Sequence, residues 1–294
     1  MNMNKNYTFN LTYPDKDPIT VDQLMRQFLI PRKWRHYLRT EKNILVNGKY
    51  LPLNFQIKKG DRIKITLDQV ASNQSYQASG HLPTVIYEDE NIIIINKPGG
   101  QKTHPNLFER DTALNDVATY LGYSPFIVHR LDMLTNGLLL MAKNPAVVPL
   151  LNRQLTTKTF HRDYYAKVSR NCNIPNHDTI NLPIGQDPTD QRKRMVCKNG
   201  LRAITHYQVI EKNKDHQLLK ITLETGRTHQ IRVHLAAIGA PIIGDPLYNP
   251  NFKENQKLGL TAFHISFIKP FSFERKDVFL TQNSKTSKIK SGLN

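Results

Sequence analysis

The chain has 294 residues, 39% of them apolar, with 41 Lys and Arg against 24 Asp and Glu, a net charge of +17. That length suits one large folded unit, or a large and a small one, each with its own core. The charge argues against partners that lack acidic groups and favours nucleic acid or an anionic surface. No run of residues approaches the ~20 apolar positions of a spanning helix. The start, MNMNKNYTFNLTYPDKD, is polar and carries no export signal core. Cys172 and Cys197 stand alone, without the paired spacing of a zinc site. Together these features point to a cytoplasmic protein without disulfides, away from the membrane, with monomer as the default state.

Residues 18–68 read as a small module. Thr20 is an N-cap candidate before VDQLMRQFLI, and Pro31 restarts the chain as PRKWRHYLRT. The second helix carries Arg32, Lys33, Arg35 and Arg39, with no acid before Glu41 to offset them along that stretch. Asn47-Gly48 marks a turn between apolar runs, and KKGDRIKITL closes the module with alternating Ile63 and Ile65. Two basic helices followed by small strands can track a phosphate backbone. The pattern, with its VNG and terminal GDRI, resembles the alpha-L RNA-binding module shared with a small-subunit ribosomal protein. Trp34 is expected as a core anchor of this unit.

Residues 69–82 (QVASNQSYQASGHL) read as a linker. Residues 83–273 then continue without another such break. TVIYEDENIIIINKPGG reads as strand, acidic turn and buried strand, and the spacing predicts a helix over 111–121. GLLLMAK reads as a strand, with Asn144-Pro145 opening a helix to about Gln154. FHRDYYAKV, ITHYQVI and LLKITLE read as strands, mostly rich in β-branched and aromatic residues. The spacing predicts a last helix over 228–238, stopped by Gly239-Ala240-Pro241. Adjacent strands with short links predict an α+β fold: a large, mostly antiparallel mixed sheet with helices alongside, plus the small N-terminal α/β module. Residues 274–294 read as a basic, frayed tail.

Chemistry concentrates in two runs. HRLDMLTNGLLLMAKN (129–144) places Asp132 among cations, and TGRTHQIRVHLAAIGAPIIGD (225–245) supplies Arg227, His229, Arg232 and His234. An arginine beside a carboxylate keeps it ionised, and an ionised aspartate can act as nucleophile or electrostatic stabiliser. An isolated aspartate before Thr-Asn-Gly is more often a turn residue, so the weight rests on the two runs together. His229 and His234 are five apart and do not share a helix face. His104 and His129 lie in loops without a nearby acidic cluster, so no metal site is read here.

These runs, with NKPGGQKTHPN, DYYAKV, LPIGQDPTDQRKRMV and LTAFHISFIKP, closely resemble the RluA-type family of pseudouridine synthases, in family order over nearly all of 83–273. The resemblance implies conversion of a uridine in structured RNA to pseudouridine, without metal or organic cofactor. Ribosomal RNA of the large subunit is the expected target and tRNA the alternative. It implies catalytic roles for Asp132, for Tyr164 as the ring that packs on the extruded uracil, and for Arg227 as the partner of Asp132. Arg130 matches the arginine that enters the RNA stack, and His129 shares its motif as an expected RNA contact. Two positions depart from the pattern: Asn136 stands where serine is usual, and Arg162 where lysine is usual. The competing class is a non-catalytic RNA-binding assembly factor, which would not need Asp132, Tyr164 and Arg227 together. A glycoside hydrolase would need a paired acid, and Asp245, the nearest candidate, reads better as structural.

Overall fold

The computed structural model describes residues 6–68, 70, 75–107 and 109–281. Two apolar runs lie at its centre. IIIINK (Ile92–Lys97) and NGLLLMA (Asn136–Ala142) are buried on both faces, which is why neither alternates polar with apolar. They pair antiparallel, from Gly137 opposite Lys97 to Ala142 opposite Ile92. Around them the sheet runs His177–Asn181, Ile204–Lys212, His216–Leu223, His161–Ser169, Leu260–Ile268, Asn136–Ala142, Ile92–Lys97, Val85–Glu88. Phe126–Ile127 and Arg275–Phe279 attach at its sides. Every strand pairing in it is antiparallel except that of Asn136–Ala142 with Leu260–Ile268. That parallel step brings Gly137 (φ 113°) so close to the backbone of Ala262 that any side chain there would collide with it.

Among the described residues the helices are α1 (Val21–Gln27), α2 (Arg32–Thr40), α3 (Ala113–Leu121), α4 (Val148–Thr156) and α5 (Gln230–Ala237). None is long and apolar enough to cross a membrane. One face of the sheet packs through Ile93, Ile95, Leu139 and Met141 with α3 and α5, contributing Leu114, Val117, Ile231 and Leu235. The other packs through Ile92, Ile94, Leu138 and Leu140 with Leu150 and Leu151 of α4.

The same second core runs on into the N-terminal module, joining Leu24, Met25, Phe28 and Ile65 to Phe267 and Phe271. Phe9 stacks on Phe271 with centroids 3.8 Å apart, and Tyr13 and Phe28 meet Phe273 at 5.7 and 5.0 Å. The module is thus seated against the large sheet unit by an aromatic cluster. Residue 18 is also too late a start for it. Tyr7–Thr12 pairs with Arg62–Leu67 and forms the edge of its four-stranded sheet.

Other boundaries shift for physical reasons. Thr20 caps α1 in a full capping box with Gln23. α4 begins at Val148 rather than at Pro145, because Asn144 is drawn into a side-chain bond with Asn91 and residues 145–147 turn first. In the stretch expected to be a linker, Ser79 bonds Asp116 and Thr119 of α3. The expected tail contains a strand, Arg275–Phe279, paired with Leu260–Ile268; residues 282–294 lie outside the described residues. Along α2, Arg32, Lys33 and Arg39 are exposed, but Arg35 is half-buried and held 3.3 Å from Asp22 of α1. The unopposed charge expected of Arg35 is therefore offset from a neighbouring helix. Trp34 packs, partly buried, against the core.

Candidate active site

The sheet, α5 and two loops meet at one cavity of about 90 Å³, lined among others by Arg130, Asp132, Arg162, Tyr164, Arg227 and Arg232. Asp132 sits on a turn closed by the Thr135 N–H donating to its carbonyl. The turn is clamped on both sides. Thr103 Oγ1 donates to Leu131 O (2.8 Å) and accepts from Leu131 N–H (3.1 Å). Lys97, 0% exposed, spends its ammonium on three carbonyls: Pro98 (2.8 Å), Gln101 (2.7 Å) and Met133 (3.1 Å). A lysine closing a fully buried strand was the sequence signal for this clamp, because such an ammonium must find partners.

The cation nearest Asp132 is Arg232, with a nitrogen 3.8 Å from Asp132 Oδ2. This corrects the expected pairing with Arg227, whose Nε instead donates to Arg202 O at 3.0 Å. The reason is the start of α5. His229 takes a left-handed conformation (φ 58°) and the helix begins only at Gln230, so Arg227 stays on the exposed loop. Arg232, inside the helix, reaches Asp132 and Asp245 on the facing loops. Nearly the whole of α5 is buried, so its arginine has to be paired, and this was the signal that spacing alone did not exploit. Arg232 also forms a two-bond fork with Asp245, both bonds 2.8 Å, and stacks over Tyr248 at 5.0 Å. Burial works against its charge, but the two aspartates outweigh burial and raise its pKa above the ordinary arginine value.

His229 Nε2 lies 3.9 Å from Asp132 Oδ2, and its Nδ1 is 2.8 Å from the Tyr248 hydroxyl. That hydroxyl already accepts the Arg194 N–H (2.8 Å), which sets it to donate to Nδ1. We therefore assign the imidazole proton to Nε2, facing Asp132. Burial lowers the His229 pKa and so favours the neutral ring, although the Asp132 carboxylate pulls the other way. His234, by contrast, is spent on Thr205 Oγ1 and the Leu182 carbonyl and is not part of the cavity.

Tyr164 lines the cavity, while Tyr165 turns away to stack on Phe263 at 3.7 Å. Alternation along the strand decides between the two tyrosines. Burial pushes the Tyr164 hydroxyl up, so it enters the site as a neutral phenol. Arg130 is exposed at the rim and donates to Thr228 Oγ1 at 3.1 Å. Arg162 faces Gly226, where an added Cβ would sit 3.1 Å from its guanidinium. Asn136 Oδ1 accepts from Thr261 Oγ1 at 2.9 Å, which ties the Asp132 turn to the neighbouring strand.

His129 is not placed for RNA contact. It is 7% exposed, accepts the Leu140 N–H at Nε2 and meets Phe160 edge-on. Burial, with Arg162 nearby, pushes its pKa down to about 3. A histidine held neutral in the fold and chargeable when unfolded removes stability as pH falls from about 6.5 towards 3. We expect the wild type to lose about 2–3 kcal/mol more than His129→Gln between pH 7 and 4.5, by urea denaturation. Equal losses would place the acid sensitivity elsewhere.

The RNA pseudouridylate synthase family matches residues 91–237, and the RluD ribosomal pseudouridine synthase N-terminal domain matches residues 1–63. Ribosomal large subunit pseudouridine synthase D of Nitrosomonas europaea is 38% identical, over 82% of this chain and 72% of that protein. The RNA pseudouridine synthase YlyB of Bacillus subtilis is 37% identical, over 70% of this chain and 71% of that one. The solved structure of human RNA pseudouridylate synthase domain containing 1 shares the fold. Its TM-score is 0.59 at 22% identity, covering 72% of this chain and 86% of that one. A basic chain with a mostly antiparallel sheet and a carboxylate in an arginine-lined cavity fits an enzyme that works on RNA. The chain belongs to the RNA pseudouridylate synthase family and is an RNA pseudouridine synthase.

Proposed function

We propose that this enzyme isomerises a uridine of large-subunit ribosomal RNA, with Asp132 as its essential carboxylate. The observation that carries this reading is the carboxylate of Asp132 facing a cavity, with Arg232 and His229 near but beyond hydrogen-bond length. Its charge is supported while its oxygens stay free to act. Asp132 either attacks the sugar carbon or assists formation of a glycal. In both cases the glycosidic bond breaks, the uracil turns, and a carbon–carbon bond to the sugar replaces the carbon–hydrogen bond at C5. The reaction exchanges no electrons with another molecule, so a carboxylate and a route for one proton suffice. The neutral phenol of Tyr164 offers a ring for the uracil face and a hydroxyl for that proton route.

Reaching a uridine means taking it out of its stack, at a cost of roughly a few kcal/mol. Arg130 stands at the rim, where it can fill the gap by stacking or phosphate pairing. The exposed Arg32, Lys33 and Arg39 of the N-terminal module add sequence-independent RNA affinity, which weakens with salt. Support for the large-subunit target comes from relatives named for that activity and from the matched N-terminal domain. The test is a pseudouridine map of ribosomal and transfer RNA from cells with and without the gene. Loss of at least one large-subunit site is expected. Loss confined to tRNA would move the target, and no loss would overturn the reading.

A further inference from the structure

Beside the Asp132 cavity lies a second depression of about 380 Å³, under the hairpin formed by Ile184–Gln186 and Arg194–Val196. The two share Gly226, Arg227 and Thr228 as a common lip. Two guanidinium groups line it without a carboxylate between them. Arg227 is oriented by the Arg202 carbonyl, and Arg194 by the carbonyls of Gln191 (3.2 Å) and Lys193 (2.7 Å). The neighbouring Arg192 differs, being paired with Asp190 at 2.7 Å. Leu201, 62% exposed, supplies an apolar surface in the same depression, and Asn199 an exposed amide.

The hairpin is also wired to the carboxylate. The Arg194 N–H donates to the Tyr248 hydroxyl, which bonds His229, whose other nitrogen faces Asp132. Its position relative to the reacting centre is thus set through two hydrogen bonds.

We propose that this depression is a subsite for the unpaired nucleotide next to the target uridine. The inference rests on reading the Asp132 cavity as the seat of that uridine. One way out of the cavity runs over the shared lip, and a chain that takes it carries the phosphodiester to the next residue across Arg227. The next base then meets Leu201 and the guanidinium plane of Arg194. Apolar or guanidinium stacking with a few edge donors is how unpaired RNA bases are held. Arg227, not needed as the partner of Asp132, acquires a role as a phosphate ligand.

The test uses the full-length chain, with Arg194→Gln and Leu201→Ala. The substrate is ribosomal RNA from cells that lack the gene and were grown on uracil tritiated at C5, so isomerisation releases tritium to water. Both side chains reach solvent, and unchanged melting temperatures check that the variants fold. For Arg194→Gln we expect KM for RNA to rise about tenfold, kcat to stay within about threefold, and the salt slope of binding to fall by about one. For Leu201→Ala we expect KM to rise about threefold or more, with the salt slope unchanged. Wild-type KM and salt slope in both variants, with an active wild type, overturn the subsite and leave the proposed function standing. No tritium release by the wild type overturns the function itself, and the subsite with it.

Discussion

Asp132→Asn is expected to abolish tritium release, lowering turnover at least about a thousandfold, while the protein stays folded. The two halves of this expectation have separate causes. Asparagine keeps the shape of the side chain but can neither carry the charge nor form the sugar bond. The Asp132 carboxylate makes no hydrogen bond among the described residues; the Arg232 guanidinium and the neutral His229 ring stand 3.8 and 3.9 Å away. Its turn is held instead through the backbone of Leu131 and Met133. Stability should therefore change by no more than about 0.5–1 kcal/mol. More than a hundredth of wild-type activity in the purified variant would sink the role of Asp132. A large fall in melting temperature would instead show it to be structural.

Arg232→Met should cost both stability and activity, and a second substitution should separate them. Removing the guanidinium leaves Asp245, 0% exposed, as an unpaired buried charge, at a cost of about 3–5 kcal/mol. It also withdraws the nearest cation from Asp132, and turnover should fall about a hundredfold or more. Combining Arg232→Met with Asp245→Asn removes the stranded charge, so denaturant midpoints should return most of the way to wild type. Activity should not return with them, since Asp132 still lacks its counter-charge. Joint recovery of activity and stability would mean that Arg232 serves only the packing of α5.

The buried strands were legible because IIII and LLLM offer no polar face, and the capping box of α1 because Thr20 and Gln23 carry it locally. Tyr164 was separable from Tyr165 by motif position, and the alternation of the strand gives the same division. The pairing of Arg227 with Asp132 failed for a reason no spacing rule contains. The left-handed His229 delays α5 and swings Arg227 outward, leaving Arg232 to face the carboxylate. His129 shares its motif with Asp132, yet its ring turns inward to the Leu140 amide. Arg35 met an aspartate from another helix.

By itself the sequence determined the class of chemistry: a basic chain, the order of its motifs, and an aspartate, Asp132, set among cations. These are properties of residue identity, and they survive any rotation of a helix or loop. Only the tertiary structure decided which cation supports that carboxylate, since a counter-charge is chosen by distance across elements remote in the chain. It also decided where the N-terminal module sits. Phe9, Tyr13 and Phe28 are unremarkable aromatics in sequence, and become an interface only when the turn carrying Phe271 and Phe273 meets them.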